Sequence, residues 1–453
     1  MMRGRALALC CCCLLAPAWA GDFQRMFDAA LDADATYRAA RAELASVRQN
    51  IPLAQSALLP NVSLSVSDAK VEGYRTVNNF FGQPVTSDLN YRAPAHSLNL
   101  RMPLINREAN QKLEIARLQV ANAEALFAAR TTDLLDRLGA AYLQSLLAEQ
   151  AVLAAQSQLD AARVQLELAK RRLALGEGTR TETADADAAF DLAQVLLLEA
   201  QDQRQTGTLA LQQLTGLQEP PRSGPQLTLV PPALPSASFA APASLAQLLD
   251  QANMGNPGIL ARQFALAAAQ AAVARNEAGH YPRLDLVASA ASARNDSIST
   301  LNQSTYQRSL GLQLTVPLYS GGAVSASVTQ ALADRDKTEA ELTAERESVA
   351  RDVTRLFAAA TSGAARIAAQ QKAIASAALA LEAASKSFSA GLGTQPDTVQ
   401  ARRKLVQAQR DTAQSVYEYL LVRLRLLVRI GLDPMLIVAD LDRLLQEPTP
   451  ARR

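Results

Sequence analysis

Cysteine is missing from the mature part of this chain. All 4 cysteines stand at Cys10–Cys13, ahead of a predicted cleavage site, so disulfides and thiolate metal sites are excluded. Histidine is scarce too: His96 and His280 are the 2 present, and neither has a partner at ligand spacing. An excess of one charge is also absent. Removing Arg3 and Arg5 from the 45 basic residues leaves 43 against 43 acidic ones, which argues against a nucleic-acid binder. No run of 18 apolar residues follows residue 20, and the apolar-looking Leu420–Leu432 is broken by Arg423, Arg425 and Arg429. Entry into a membrane would therefore have to be made by strands. No G-x-S-x-G, H-E-x-x-H, P-loop or Cys–His arrangement occurs, so the sequence offers neither a catalytic centre nor a cofactor site.

What is present begins with a secretory signal. Arg3 and Arg5 precede the apolar Ala6–Ala16, and Ala18-Trp19-Ala20 forms a small-residue cleavage site before Gly21. Leu9 stands before Cys10 where a lipoprotein signal needs a small residue, which disfavours acylation. The rest is written twice. Pro60 answers Pro282, 222 positions on, and Pro103 answers Pro317, 214 on. Gly176 answers Gly391 and Gly216 answers Gly431, each 215 on. A duplicated unit of this size has to be read as a repeat before any local motif. The expected layout is a signal at 1–20, a first repeat at 21–217, a Pro-rich linker at 218–243, a second repeat at 244–436 and a tail at 437–453.

Within the first repeat the pattern predicts a helix over 22–56 interrupted near Asp32–Asp34. Strands are expected at about 58–71 and 95–104, then a long helix over 106–175 and another over 182–214. The second repeat predicts a helix over 244–278 broken at Asn256-Pro257, strands at about 283–293 and 308–318, and helices over 323–390 and 397–430. The long helix would measure about 105 Å, several times the diameter of a compact domain. Leu135, Leu138, Tyr142 and Leu146 form a 3-4-4 stripe on it, as an antiparallel helical partner requires.

The strands alternate. Val62, Leu64 and Val66 interleave with Asn61, Ser63, Ser65 and Ser67, and Leu310, Leu312 and Leu314 with Gly311, Gln313 and Thr315. One such strand fits a soluble core. Four in duplicated positions, fused to very long helices, point instead to a lipid-facing barrel. Four strands cannot close one, so the chain must associate with itself. Pro103 and Pro317 are placed at the strand-to-helix joins, with Gly321 and Gly322 bending the backbone after the second. Between the strands of each pair, 72–94 and 295–307 read as polar loops.

The duplicated layout, together with Gly279-His280-Tyr281-Pro282-x-Leu284-x-Leu286, Val316-Pro317-Leu318-Tyr319-Ser320-Gly321-Gly322 and paired Gly-x-Gly-Thr turns, resembles the TolC-like outer-membrane channel-tunnel proteins. The resemblance covers nearly the whole mature chain and leans toward the type I secretion branch. It implies a mainly α fold with β strands: a homotrimer with a 12-stranded outer-membrane barrel continuous with a periplasmic helical barrel. It also implies a Gram-negative outer-membrane exit duct for secreted protein or small toxic compounds. The implied partners are outer-membrane lipid, a periplasmic adaptor and an inner-membrane ABC or RND-type transporter. The rival reading is a periplasmic coiled-coil adaptor or scaffold.

Two sets of residues carry the working parts. Gly176, Gly178 and Thr179, with Gly391, Gly393 and Thr394, read as helix stops followed by N-caps; in the resembled family such tips contact the adaptor. Glu182, Asp185 and Asp397 lie near the starts of the following helices, where the helix dipole alone would favour acids. The resemblance places an acidic ring at these positions around the periplasmic aperture, with Gln400 standing where a second acid is expected.

Overall fold

The computed structural model describes residues 21–218, 244–297, 300–390 and 392–446. The expectations for the signal, for most of the Pro-rich linker and for Gly391 lie outside these residues. Mainly helical with one antiparallel sheet, the described chain divides into two compact units. One takes in the described residues up to 40, then 128–257 and those from 347 on; the other holds 41–127 and 258–346. No described helix is long and apolar enough to cross a membrane.

In the first of these units, α1 (Asp22–Ala33) stops at Asp34, whose N–H reaches back to Ala30 while its own ψ turns to 119°. α6 (Leu245–Gly255) stops at Asn256 with ψ of 121°, and Pro257 opens the next helix. α4 (Arg107–Ala174) and α8 (Ala323–Ser389) run 68 and 67 residues and contribute to both units. α5 (Arg180–Thr215) and α9 (Gln395–Arg429) follow them. Leu135, Leu138, Tyr142 and Leu146 on α4 are all buried. Phe23 of α1 lies 5.2 Å from the Tyr142 ring, centroid to centroid. Glycine permits close approach here: a Cβ on Gly139 would fall 2.6 Å from Leu424 Cδ1 of α9. The three arginines that interrupt Leu420–Leu432 are all paired. Arg423 reaches Asp440 at 2.8 Å, Arg425 reaches Asp136 at 2.8 Å, and Arg429 reaches Asp352 at 3.3 Å.

Of the segment expected as a tail, 437–453, the described part to residue 446 belongs to α10 (Pro434–Gln446). Its start is written locally: Asp433 Oδ1 accepts the Met435 N–H, and Pro434 occupies the first turn, where its missing N–H costs nothing. Ile437, Val438, Leu441 and Leu444 are buried on one face, a helical spacing that the sequence displayed all along.

The other unit holds α2 from residue 41 (Ala35–Arg48), α3 (Asn50–Ser56), most of α7 (Pro257–Glu277) and four strands. β1 (Asn61–Asn78), β2 (Pro84–Ile105), β3 (Arg283–Ser297) and β4 (Thr300–Thr315) pair in sequence order, each antiparallel to the next. The first hairpin is far longer than the expected strands at 58–71 and 95–104. Residues 72–94, expected as a loop, are mostly ladder, with Glu72 opposite Asn90 and Val77 opposite Val85. The turn proper is residues 79–83, closed by Asn79, whose Oδ1 accepts the N–H groups of Phe81 and Gln83, and by Gly82 at φ 79°. Likewise β3 and β4 extend through most of 295–307, with Asn295 opposite Gln303. Pro103 lies inside β2 and not at its end, where the register with β3 shifts between Pro103 and Ile105. A residue with no N–H suits such an irregularity. Pro317 does follow the end of β4, and Gly321 and Gly322 take φ of 62° and 81° before α8.

Candidate functional site

Two places in the chain have the makings of function: the sheet and the turns at the ends of the long helices. In the sheet, register decides what each face shows. Val62 opposes Leu100, Leu64 opposes Leu98, Leu286 opposes Leu312 and Ala288 opposes Leu310, so one face is an aliphatic band. The other face carries Ser63 opposite Asn99, Ser65 opposite Ser97, and Ser289 opposite Ser309, whose hydroxyls share a hydrogen bond at 2.8 Å.

The aliphatic band ends before the strands do. Beyond Val66 the same face of the first hairpin bears Asp68, Lys70 and Glu72. Arg92 pairs with Asp68 at 3.0 Å, and Lys70 pairs with Glu72. Arg308 stacks over the Tyr306 ring at 4.9 Å. Charges at the end of an apolar band are placed where water begins. On the polar face one contact joins the two repeats: Arg101 of β2 donates from Nε at 3.1 Å and from Nη2 at 2.5 Å to Asp285 of β3, whose carboxylate is buried. The pair is not legible in the sequence, because its members stand 184 positions apart.

At the end of α4, Gly176 takes φ of 77°. Its N–H reaches Leu173 O at 3.1 Å, and the Glu177 N–H reaches Arg172 O at 2.9 Å, the paired closure that a left-handed residue makes possible. The second repeat reproduces the longer bond, Leu392 N–H to Ser387 O at 3.0 Å. Gly178 and Gly393 stand in tight places: a Cβ there would fall 3.1 Å from Leu173 N or 3.2 Å from Phe388 N. Thr179 then caps α5 reciprocally with Glu182, each bond 3.1 Å. Thr394 opens α9 by donating its N–H at 3.1 Å and its hydroxyl at 2.5 Å to Asp397, and these bonds hold the Asp397 carboxyl below its ordinary value.

Glu182 and Asp397 are thus both engaged in starting their own helices while remaining exposed. Asp185 and Gln400 are exposed as well. The four stand at the helix starts beside the two turns, Glu182 and Asp185 on α5, Asp397 and Gln400 on α9. Within a single chain they form no cluster of metal-ligand type; none was found among the described residues.

The described chain is similar to known proteins over most of its length. A family model described as outer membrane efflux protein matches residues 26–217 and 248–431. Proteases secretion protein PrtF of Dickeya chrysanthemi is 30% identical over 321 residues, covering 70% of this chain and 68% of that protein. Alkaline protease secretion protein AprF of Pseudomonas aeruginosa is 29% identical over 432 residues, 94% of this chain and 87% of the relative. Among solved structures, the Campylobacter jejuni CmeC outer membrane channel superposes with a TM-score of 0.75 at 15% identity, over 93% of this chain and 89% of that one.

Proposed function

This chain belongs to the outer membrane efflux protein family, and we propose that three copies of it form the outer-membrane exit duct of a tripartite export system. The observation that carries the trimer is the sheet. It has one aliphatic face, one hydroxyl- and amide-rich face, and β1 and β4 as edges. An open edge is not tolerated in lipid. Three sheets joined β4 to β1 give twelve strands, with aliphatic side chains on lipid and the Ser/Asn/Gln face around a lumen wide enough to conduct. The long helices would continue this barrel as a periplasmic tunnel. A periplasmic adaptor or scaffold would leave the aliphatic sheet face without a purpose.

The relatives named for protease secretion support a secreted protein as cargo over a small toxic compound. A lumen lined by hydroxyls and amides suits a passing chain, since it offers contacts that exchange readily with water and no pocket to hold a side chain. The tips at Gly176, Gly178 and Thr179 and at Gly393 and Thr394 are the proposed contacts of the periplasmic adaptor, which an inner-membrane ABC-type transporter would engage. Glu182, Asp185 and Asp397 from three copies would ring the periplasmic aperture. Gln400 leaves the second repeat with one acid there, and Asp185 of the first repeat supplies the other.

Electrophoresis of the outer-membrane fraction, with and without heating, tests the assembly. The trimer is expected to run intact in dodecyl sulfate unheated and to collapse on boiling to a single processed chain, slightly below the 48.3 kDa of the full sequence. A monomer in the soluble periplasmic fraction would contradict the reading.

A further inference from the structure

The start of α1 is tied down from the far end of the chain. Asp442 on α10 accepts the Phe23 N–H at 3.1 Å through Oδ1 and the Gln24 N–H at 3.0 Å through Oδ2. It does for α1 what a local N-cap would do, across 419 residues of sequence. The residue is 7% exposed. Burial chiefly raises its pKa, the two N–H bonds oppose that, and the Asp22 carboxylate adds to it. Among the described residues, none of the groups acting on Asp442 is a cation. Tyr142 of α4 also faces this cluster and directs its hydroxyl at Asp22, 3.4 Å away.

Gly21 presses against the same carboxylate. A Cβ built on it would fall 1.9 Å from Asp442 Cγ and 2.1 and 2.2 Å from the two oxygens. A side chain at position 21 would force the Asp442 side chain to shift. The Gly21 nitrogen is one bond, about 1.46 Å, from that Cα.

We infer that cleavage after Ala20 creates an ion pair between the new α-ammonium group of Gly21 and the buried Asp442 carboxylate, so that export processing completes the docking of α10 on α1. Water adds across the Ala20–Gly21 peptide bond; its hydroxyl goes to the Ala20 carbonyl carbon, its hydrogen to the Gly21 nitrogen, which then takes up a proton. Before cleavage that nitrogen is a neutral amide and brings no charge to Asp442. Afterwards it is an amine with an ordinary pKa of about 7.7–8.0, cationic near neutral pH, and a charged donor makes the stronger hydrogen bond. A buried carboxylate that has no cationic partner among the described residues thereby gains one.

The inference rests on the cleavage site read from Ala18-Trp19-Ala20, which the intact mass of the outer-membrane protein checks directly. A mature start at Gly21 is expected, and any other start overturns the ion pair. Four chains then separate pairing from capping: the wild type, Asp442→Asn, a chain with Ser-Gln inserted between Ala20 and Gly21, and the combination. The insertion carries the amine two residues away and leaves Gly21 an internal amide. Asp442→Asn is expected to lower the melting temperature of the detergent-solubilised protein by several degrees in the natural background and by much less in the inserted one. Equal losses in both backgrounds would show that Asp442 acts only as a cap for Phe23 and Gln24, and would overturn the proposal. Gly21→Ala keeps a small residue after the cleavage site. It is expected to be processed normally yet to expose the segment around α10 to protease; protection equal to wild type would contradict the close approach on which the pair depends.

Discussion

The first repeat breaks its opening helix at Asp34 and the second at Asn256, with nearly the same ψ and the same backward hydrogen bond, to Ala30 and to Ala252. The side chains at the two breaks do different things. Asp34, buried, accepts from Arg137 Nη1 at 3.1 Å, from Thr36 and from the Tyr37 N–H at 2.7 Å. Asn256 donates from Nδ2 to Arg429 O at 2.9 Å. The position answering Arg137, 215 residues on, is Asp352, and it pairs with Arg429 instead. Duplication has thus kept the backbone break and exchanged the charges around it. Backbone geometry is fixed by neighbours along the chain, whereas a charge needs only some partner, and the partner can change.

The hairpins differ in the same sense. The first reaches 18 and 22 residues per strand, the second 15 and 16. The excess lies beyond the aliphatic band, where the same face bears Asp68, Lys70 and Glu72.

The largest effect is expected in the sheet. Deleting Ser65 from β1 moves every later side chain of that strand to the opposite face, putting Ser67 and Ala69 on the aliphatic side and Val66 on the polar one. No heat-modifiable trimer should reach the outer membrane. Removing 74–77 with their partners 85–88 leaves the register intact and should preserve assembly. Equal tolerance of both deletions would show that the two faces are not distinguished.

The breaks come next. Arg137→Ala leaves the Asp34 carboxylate buried without its cation. The expected cost is about 2–3 kcal/mol, somewhat less than a fully buried broken pair loses, because Arg137 is partly solvated. Asp352→Ala removes a more exposed pair and should cost under about 1 kcal/mol. Denaturant unfolding of the two variants measures the difference, and similar losses would mean that the breaks are equivalent. pH sharpens the contrast. Burial alone would raise the Asp34 pKa, but the bonds from Arg137, Thr36 and the Tyr37 N–H outweigh it and lower it. A depressed carboxyl stabilises above its unfolded value of about 3.9 and loses that stabilisation as pH falls through its folded value. Asp34→Asn should therefore flatten the acid limb of the stability profile, while Asn256→Ala should leave it unchanged.

A smaller effect tests where the repeats agree. Gly178→Val and Gly393→Val meet nearly the same helix-end backbone and should each cost about 1–3 kcal/mol through overpacking. Matching losses, with reduced cross-linking to the adaptor in both, would support equivalent tips. Loss of cross-linking in one alone would assign the contact to that repeat.

Much of this was legible in the sequence wherever the signal is local. Thr179 with Glu182, Gly176 at a helix end and Asn256 before Pro257 state their geometry in a few residues. The expected strands are shorter than the observed ones because aliphatic alternation stops at Val66 while the ladder continues to Asn78. α10, expected as a tail, is readable from Asp433-Pro434 and from the spacing of Ile437, Leu441 and Leu444. The Arg101–Asp285 pair and the Asp442 cap were not readable, since each joins residues remote in sequence and depends on the fold to bring them together.

Single-channel conductance in a planar lipid bilayer tests the duct most directly. Purified protein should insert as a long-lived channel that passes cations more readily than anions and is blocked by a trivalent cation, since in the proposed trimer acids from three copies would concentrate negative charge at one aperture. Changing Glu182, Asp185 and Asp397 together to Ala should weaken both selectivity and block while leaving the channel open to ions. Absence of conductance steps from correctly assembled protein would contradict the duct itself. Undiminished selectivity and block in the triple variant would show that these acids serve only to start their helices.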